Sequence, residues 1–579
     1  VAKQIIRREL PANLPELPEG LHPLLARVYA ARQVTSAAEL DYSLRGLQPF
    51  DRLTGIEAAV ELVAGVLLRG GRILVIGDFD ADGATSSALV ARALGMMGAR
   101  GVDYLVPNRF EFGYGLTPEI VRVAAEREPD LIITVDNGIS SLEGVRAAKA
   151  LGIRVVVTDH HLPGEELPAA DAIINPNQPG DRFPSKNLAG VGVAFYLTAA
   201  LRAGLRTRGW FAAQGLEEPN LARLLDLVAL GTVADVVPLD HSNRTLVAQG
   251  LARIRSGRCC PGIAALLQVA GRELARVTAA DLGYVVGPRL NAAGRLQDMS
   301  LGIECLLCDD PGRALSIARE LDALNRERRD VEADMQSQAL DILQRMELEE
   351  EGSLPSGLCL YDASWHQGVI GILASRIKER LHRPVIAFAP AGQGTELKGS
   401  ARSVSGLHIR DALDAVATRN AGLVTRFGGH AMAAGLSIAH EKLDAFSRAF
   451  DDEVCRHLSE EDLQGTILSD GELERSEMDL AVAEALRGAG PWGQAFPEPL
   501  FDGVFQLVSR RIVGERHLKM VLRLPGAGQS YDAIAFNTQD HDWPADVEAV
   551  TLAYRLDVNH YQGRRNVQLI VEHVAPVVS

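Results

Sequence analysis

The run Ile73-Leu-Val-Ile-Gly-Asp78-Phe-Asp80-Ala-Asp82-Gly83 is an apolar strand-like segment that ends in three alternating aspartates. Two more apolar runs end the same way. They are Leu131-Ile-Ile-Thr-Val-Asp136-Asn137 and Val155-Val-Val-Thr-Asp159-His160-His161. Helix-like stretches separate them, and alternation of strand and helix signals a parallel sheet with crossover helices. In such a sheet the carboxyl ends of the strands face one crevice, where ligands bind. Three strand ends carrying Asp and His therefore predict one metal site assembled from three places in the chain.

The chemistry of the acids supports that reading. Asp78, Asp80 and Asp82 at alternate positions would share one side of an extended strand end. Carboxylates so close repel one another unless a cation neutralises them. Oxygen ligands with imidazole suit Mn2+ or Mg2+ better than thiolate-seeking metals. A carboxylate such as Asp136 has two oxygens and can bridge two ions, a device used in phosphoester hydrolysis. The order Asp-x-Asp-x-Asp-Gly also opens a calcium loop, but the closing acid of that loop is replaced by Leu89. Taken singly, Asp136-Asn137-Gly138 also fits an ordinary strand-to-helix turn, and Asp159-His160-His161 a helix cap.

A chain of 579 residues is too long for one core and implies about three or four domains. Its 47% apolar and 23% charged content is ordinary for a globular protein. No uncharged apolar stretch is long enough for a membrane span, and the N-terminus lacks the apolar core of a secretory signal. Six cysteines in such a length do not make a disulfide scaffold. Cys305 and Cys308 form a C-x-x-C without a second pair at zinc-ribbon spacing, so reduced thiols in the cytoplasm are expected. The net charge of −16 argues against a simple nucleic-acid coat protein. It does not argue against a metal enzyme, because bound cations reverse the local field.

Along the chain, residues 1–50 form a Pro-rich N-terminal extension, then a helix. Residues 51–312 are expected to form the catalytic α/β lobe, with strands at 72–77, 102–106, 131–135 and 153–158. Helices are expected at 84–97, 117–127, 140–150 and 221–233. Residues 313–349 lack Gly and Pro and predict a long helix, which with the following loop makes a connector over 313–355. A second α/β lobe follows over 356–455, with a glycine-rich turn at Phe427–Gly435. Five short alternating runs within 465–579 predict a small β-barrel of the OB-fold type.

At these residues the chain resembles the DHH phosphoesterase superfamily, and within it the single-stranded-DNA exonucleases of bacteria. The resemblance spans essentially the whole chain. It rests on Asp78-Phe-Asp-Ala-Asp-Gly-Ala-Thr-Ser, Arg109-Phe-Glu-Phe-Gly-Tyr-Gly-Leu, Val135-Asp-Asn-Gly-Ile and Thr158-Asp-His-His in the first lobe. Ala229-Leu-Gly-Thr-Val-Ala-Asp-Val-Val-Pro-Leu and Gly287-Pro-Arg-Leu-Asn-Ala-Ala-Gly-Arg295 follow, and then Gly399-Ser-Ala-Arg-Ser403 and Gly428-Gly-His430 in the second lobe. The resemblance implies a DHH-type parallel-sheet lobe, a DHH-associated lobe and a C-terminal OB-fold. It implies that Asp78, Asp80, Asp82, Asp136, His160 and Asp235 form a region for two Mn2+ or Mg2+ ions. It places His161 near the scissile phosphate as charge stabiliser, catalytic together with Asp136. Arg109, Ser400 and Arg402 would hold a terminal 5′ phosphate, and Arg289, Asn291 and His430 would face substrate. The implied activity is 5′-to-3′ hydrolysis of single-stranded DNA to mononucleotides in repair and recombination, with a single-strand-binding protein and a helicase as partners.

The residues offer some independent support for a nucleic-acid substrate. Basic clusters occur at Arg253/Arg255/Arg258, at Arg510/Arg511 with Arg516 and Lys519, and at Arg564/Arg565. Phe505, Tyr531, Phe536, Tyr554 and Tyr561 are candidates either for base stacking or for barrel core. Two rival readings stand beside the exonuclease. One is a phosphoesterase of the same superfamily acting on short oligonucleotides or cyclic dinucleotides, which has no need of the barrel. The other is a non-catalytic strand-binding scaffold, against which the intact Asp and His set speaks.

Overall fold

The computed structural model describes residues 3–12, 17–107, 115–349, 354–391, 395–514, 517–526, 528–536, 538, 548–561 and 563–577. The chain folds as two compact units. One comprises Leu10–Asn325 and Glu484–Pro499; the other comprises Val1–Glu9, Arg326–Ala483 and Leu500–Ser579. No described helix is long and apolar enough to cross a membrane.

In the first unit five parallel strands lie in the order Gly101–Leu105, Arg72–Gly77, Leu131–Val135, Arg154–Thr158, Ala172–Ile174. The apolar runs are buried because helices cover both faces of the sheet; every residue of Leu131–Val135 is inside. Leu74, Ile76, Ile132, Val155 and Val157 pack on Ile120, Val121 and Val145 on one face. The strand order reverses between Arg72–Gly77 and Leu131–Val135, so a crevice opens at their carboxyl ends. Asp78 and Asp136 follow those two strands directly. The helix expected from residue 84 starts earlier, at Ala81. Asp80 is its N-cap, accepting from the backbone N–H groups of Asp82 and Gly83 at 3.0 Å each. Asp80 thus gives one oxygen to the helix start while its other oxygen stays available.

The connector helix runs Pro311–Glu349, two residues longer at its start than expected, because Asp310 accepts from the Arg313 N–H at 2.6 Å and Pro311 suits the first helical turn. Its beginning belongs to the first unit and its end to the second. The second unit contains a mixed sheet in the order Arg426–Gly429, Ala433–Ala439, Glu396–Arg402, Val385–Ala391, Leu358–Tyr361. Only the last pair is parallel. The glycine-rich turn proves to be a hairpin, closed by backbone bonds between His430 and Ala433 at 2.8 and 3.3 Å.

The same unit holds a closed barrel ordered Phe501–Val513, His517–Arg523, Ser530–Phe536, Arg564–Pro576, Ala549–Tyr561. The aromatic candidates divide. Phe505, Tyr531 and Tyr554 are only 0%, 4% and 1% exposed and fill the barrel, so they are not stacking platforms. Phe505 meets Tyr554 edge-on at 5.3 Å. Phe536 is 51% exposed and packs edge-on against His517. The Tyr561 side chain and Arg516 lie outside the described residues.

The termini of the expected segments behave differently from the sequence reading. The strand Gln4–Arg7 pairs in parallel with Thr466–Ser469 in the second unit, whereas the rest of the N-terminal extension belongs to the first. Arg7 clamps Asp502 with Nε at 3.0 Å and Nη2 at 2.7 Å, and Ser469 donates to the same carboxylate. Residues 484–499 of the expected barrel segment instead join the first unit. There Trp492 and Phe496 stack at 5.2 Å beside Tyr29, whose hydroxyl donates to the Ala489 carbonyl. Deleting residues 1–9 removes a strand and leaves buried Asp502 without its cation. We expect calorimetry to show the transition of the barrel-containing unit several degrees lower, with Mn2+ binding by the other unit unchanged.

Candidate metal centre

The first unit brings the strand-end acids together. Donor atoms of Asp78, Asp80 and Asp136 lie within 4.8 Å of one another; so do those of Asp82, His160 and Asp235, and those of Asp136, His160 and His161. Asp136 belongs to two of these trios, the place a bridging carboxylate takes. Its backbone has φ 61°, a left-handed turn that Asp tolerates better than most side chains. Asp82 sits at the start of the helix Gly190–Thr207 and accepts from Gly190 N–H at 2.6 Å and Val191 N–H at 3.0 Å. That helix terminus supplies positive partial charge to a carboxylate that is only 1% exposed. Asp235 caps the carboxyl end of the helix Leu225–Ala234.

Two glycines allow this convergence. A Cβ on Gly190 would lie 2.6 Å from the Asp136 carboxylate, and one on Gly231 would lie 2.7 Å from Asp82. Any side chain at either position would displace a metal-facing acid.

The histidines are held by a frame around Asp159. Its Oδ1 accepts from the backbone N–H groups of His160 and His161 at 2.7 and 3.1 Å, and pairs with His161 Nδ1 at 2.7 Å. Its Oδ2 accepts from Ile139 N–H at 2.9 Å. Asn177 and Asn175 donate to the carbonyls of His160 and His161 at 2.6 and 2.9 Å. With both backbone and ring fixed, His160 Nε2 points to Asp136 at 3.1 Å and to Asp235 at 3.4 Å. Asn137 ties the Ile76 and Val135 carbonyls at 3.1 and 2.9 Å, fixing the two strand ends against each other.

The electrostatics are those of a cation site. Burial, with the Asp235 charge next, pushes Asp82 up to about 7. Burial, with the Asp80 charge next, pushes Asp235 up to about 7 as well. Asp136 is raised well above the carboxylate range by burial and by the surrounding aspartates. His160 is lowered, by burial and then by His161. His161 goes the other way: burial would lower it, but the hydrogen bond and charge of Asp159 override that and carry it up to about 9. Asp159 is held below its usual value by the same bond, against its burial. The Nε2 of His160 and the Oδ2 of Asp235 are buried, and their 3.1 and 3.4 Å contacts are not aligned as hydrogen bonds. Neither Asp82 nor Asp235 pairs with a lysine or arginine among the described residues. Oxygen and imidazole donors, orphaned atoms and suppressed ionisation together fit hard divalent cations such as Mn2+ or Mg2+.

The remaining predicted residues fall into three groups. Arg109 lies outside the described residues. Arg289 is buried and pairs with Asp322 at 2.8 and 2.9 Å, and Asn291 accepts from Ala81 N–H at 2.7 Å. Both contacts are within the protein, so in this structure they shape the site's support. In the second unit, Arg402 donates to Ser400 Oγ at 3.1 Å and to the Ala401 carbonyl at 2.8 Å. The helix Ile370–Leu381 begins against them, with Gly371 spaced so that a Cβ would come within 3.0 Å of both side chains. Burial lowers the Arg402 guanidinium, and no carboxylate pairs with it among the described residues. A desolvated guanidinium and a helix start both favour an anion nearby. His430 is exposed on the neighbouring hairpin. Sequence reasoning gave no role to Asp159, Gly190, Asn175 or Asn177; the acid next to the two histidines was the one available signal.

Known proteins share this arrangement of domains. Models of the DHH family N-terminal domain, the DHHA1 domain and the RecJ OB domain match residues 72–232, 355–455 and 469–573. The chain is 58% identical over 578 residues to the single-stranded-DNA-specific exonuclease RecJ of Dickeya dadantii (strain 3937), covering 100% of both chains. It is 56% identical over 575 residues to the protein of the same name from Escherichia coli (strain K12), covering 99% of each. The crystal structure of RecJ in complex with Mn2+ from Thermus thermophilus matches with a TM-score of 0.78 at 31% identity, over 96% of this chain and 76% of that one.

Because Asp82 and Asp235 have folded-state values near 7, their contribution favours the metal-free fold below about pH 4 and is lost as pH rises towards 7. Mn2+ relieves that loss. Its stabilisation, about 2.7 kcal/mol at a hundredfold excess over Kd, should therefore raise the melting temperature more at pH 8 than at pH 5.5. Asp159→Asn should bring the His161 titration, followed by NMR of labelled histidine, down from its raised value. It should also weaken Mn2+ binding by about 10- to 100-fold.

Proposed function

The chain belongs to the RecJ family of single-stranded-DNA-specific exonucleases, and from that membership we propose that it degrades single-stranded DNA from the 5′ end to mononucleotides, in repair and recombination. The observation that carries this reading is the convergence of Asp78, Asp80, Asp82, Asp136, Asp235 and His160 in one crevice with buried donors left over. The cofactor is Mn2+ or Mg2+. Paired ions, when bound, supply an activated water and neutralise charge on the phosphate.

The chain's own residues supply orientation and proton control. Asp78, Asp80, Asp82, Asp136, His160 and Asp235 would hold the ions, Asp136 being common to two of the donor trios. His161, kept protonated at neutral pH by Asp159, presents a positive edge to the scissile phosphate. Asn291 holds the turn that carries the aspartates through the Ala81 N–H. Arg402 and Ser400, with Arg109, take the terminal 5′ phosphate, a role supported by the desolvated guanidinium at the start of Ile370–Leu381. The exposed His430 contacts the strand.

We propose a catalytic lobe over 51–312, a connector over 313–355, a DHH-associated lobe over 356–455 and an OB-fold over 465–579, preceded by an extension over 1–50, supported by the matched family models. Arg511 and Lys519 stand directly opposite on adjacent barrel strands. Like charges so placed repel until an anion lies across them, which supports strand binding by the barrel. A single-strand-binding protein and a helicase are the proposed partners, and the cytoplasm, where the free cysteines would stay reduced, is the proposed compartment.

Three measurements test this. With Mn2+, 5′-labelled single strands should release mononucleotides while duplex and a dinucleotide persist; equal cleavage of the dinucleotide would favour a small-substrate phosphoesterase. Asp136→Asn keeps a residue tolerant of the left-handed turn and should cut the rate more than about a hundredfold, beyond what losing an outer partner costs. Arg402→Ala should raise KM for 5′-phosphorylated strands and erase their advantage over 5′-hydroxyl strands.

A further inference from the structure

The first unit contains a cavity of about 1030 Å³. The last turn of the helix Ala81–Met96 forms one wall, while the first turn of that helix carries Asp82. At 1.5 Å per residue the lining residues Ala91–Met96 lie about 14 to 21 Å along the helix from Asp82. None of its lining residues belongs to the metal centre.

Five arginines line it: Arg92, Arg100, Arg223, Arg253 and Arg258. Arg92 is satisfied within the protein, pairing with Asp309 at 2.8 Å and donating to the Leu306 carbonyl at 3.0 and 3.1 Å. The other four have no carboxylate at ion-pair distance among the described residues. Asp226 also lines the cavity, but it is buried and its Oδ2 accepts from Cys260 N–H at 2.7 Å. Arg253 donates to the Arg258 carbonyl at 2.9 Å, yet its Nε is buried without a hydrogen-bond partner. Burial, opposed by Asp226 and reinforced by Arg258 and Arg223, holds its guanidinium below the usual value. Four crowded cations in a chain of net charge −16 form a local field that an anion would relieve. The helix Pro261–Val269 starts at the same wall and adds its positive end. Met96, Leu224 and Leu227 give the cavity an apolar floor.

We propose that this cavity binds a nucleoside 5′-phosphate, independently of the nuclease reaction. The guanidiniums without a carboxylate partner take the phosphate through paired hydrogen bonds. The apolar floor and a guanidinium face take the base. The volume is of the size that encloses a small ligand, roughly 300–1,000 Å³.

The test is calorimetric titration of AMP, adenosine and inorganic phosphate into the full Mn2+-loaded chain, its Asp136→Asn variant and an Arg100→Ala/Arg223→Ala variant. Arg100 and Arg223 are exposed, so the double variant should melt and cleave DNA as the parent does. AMP should bind the parent and Asp136→Asn alike and bind the double variant at least about tenfold more weakly. Adenosine and phosphate should each bind the parent at least about tenfold more weakly than AMP. The proposal is overturned by no measurable AMP binding at millimolar concentration. It is overturned equally by binding lost only in Asp136→Asn, by phosphate binding as tightly as AMP, or by a double variant that loses affinity for single strands and keeps it for AMP.

Discussion

Carboxylates cannot be gathered out of water without a positive charge among them, and the first unit is organised around that fact. Asp82 and Asp136 are almost fully buried, and Asp235 is half-buried with its Oδ2 inside. Each raises the cost of ionising the next, through desolvation and through repulsion at short range. Backbone N–H groups at the start of Gly190–Thr207 relieve Asp82, and the cap geometry relieves Asp80. These dipoles carry fractional charges and leave the sum strongly negative. The fold therefore stores a standing demand for cations, and the sheet order places that demand where the strand sequence reverses.

Much of this was written in the local sequence, and the rest was not for physical reasons. The aspartates after Gly77 and Val135 were legible because an apolar run that stops at an acid marks a strand end. Asp235 sits on a helix terminus and had no such marker; only the family resemblance pointed to it. Asp159 looked like a flanking acid because its work, holding a ring nitrogen and three backbone N–H groups, is a matter of three-dimensional placement. Arg289, expected to face substrate, also has a partner that no local pattern announces, Asp322 on a later helix. In the barrel, alternation identified the strands but not which aromatics face inward, since both faces of a short strand read alike until the partners are known. The N-terminal strand was invisible for a similar reason: four residues carry no period.

The second unit inverts the first. Its sheet presents Arg402, a cation withdrawn from water that donates to Ser400 and a carbonyl and pairs with no carboxylate among the described residues, at the start of a helix. One unit is thus built to need positive ions and the other to need a negative group. Each of these needs has its own hydrophobic core to hold it.

The pairing of Gln4–Arg7 with Thr466–Ser469 bears on how the polypeptide is made. Ribosomes deliver the first of these strands and then some 460 further residues before its partner emerges. At about 5–20 residues per second the delay lasts on the order of 23–92 s. Over that interval the whole of the unit containing the metal ligands up to Asn325 can condense, while the leading segment waits as an unmatched edge. The nascent chain thus closes its second unit only once Thr466–Ser469 has emerged, and products stalled before that point would display the bare edge to one another.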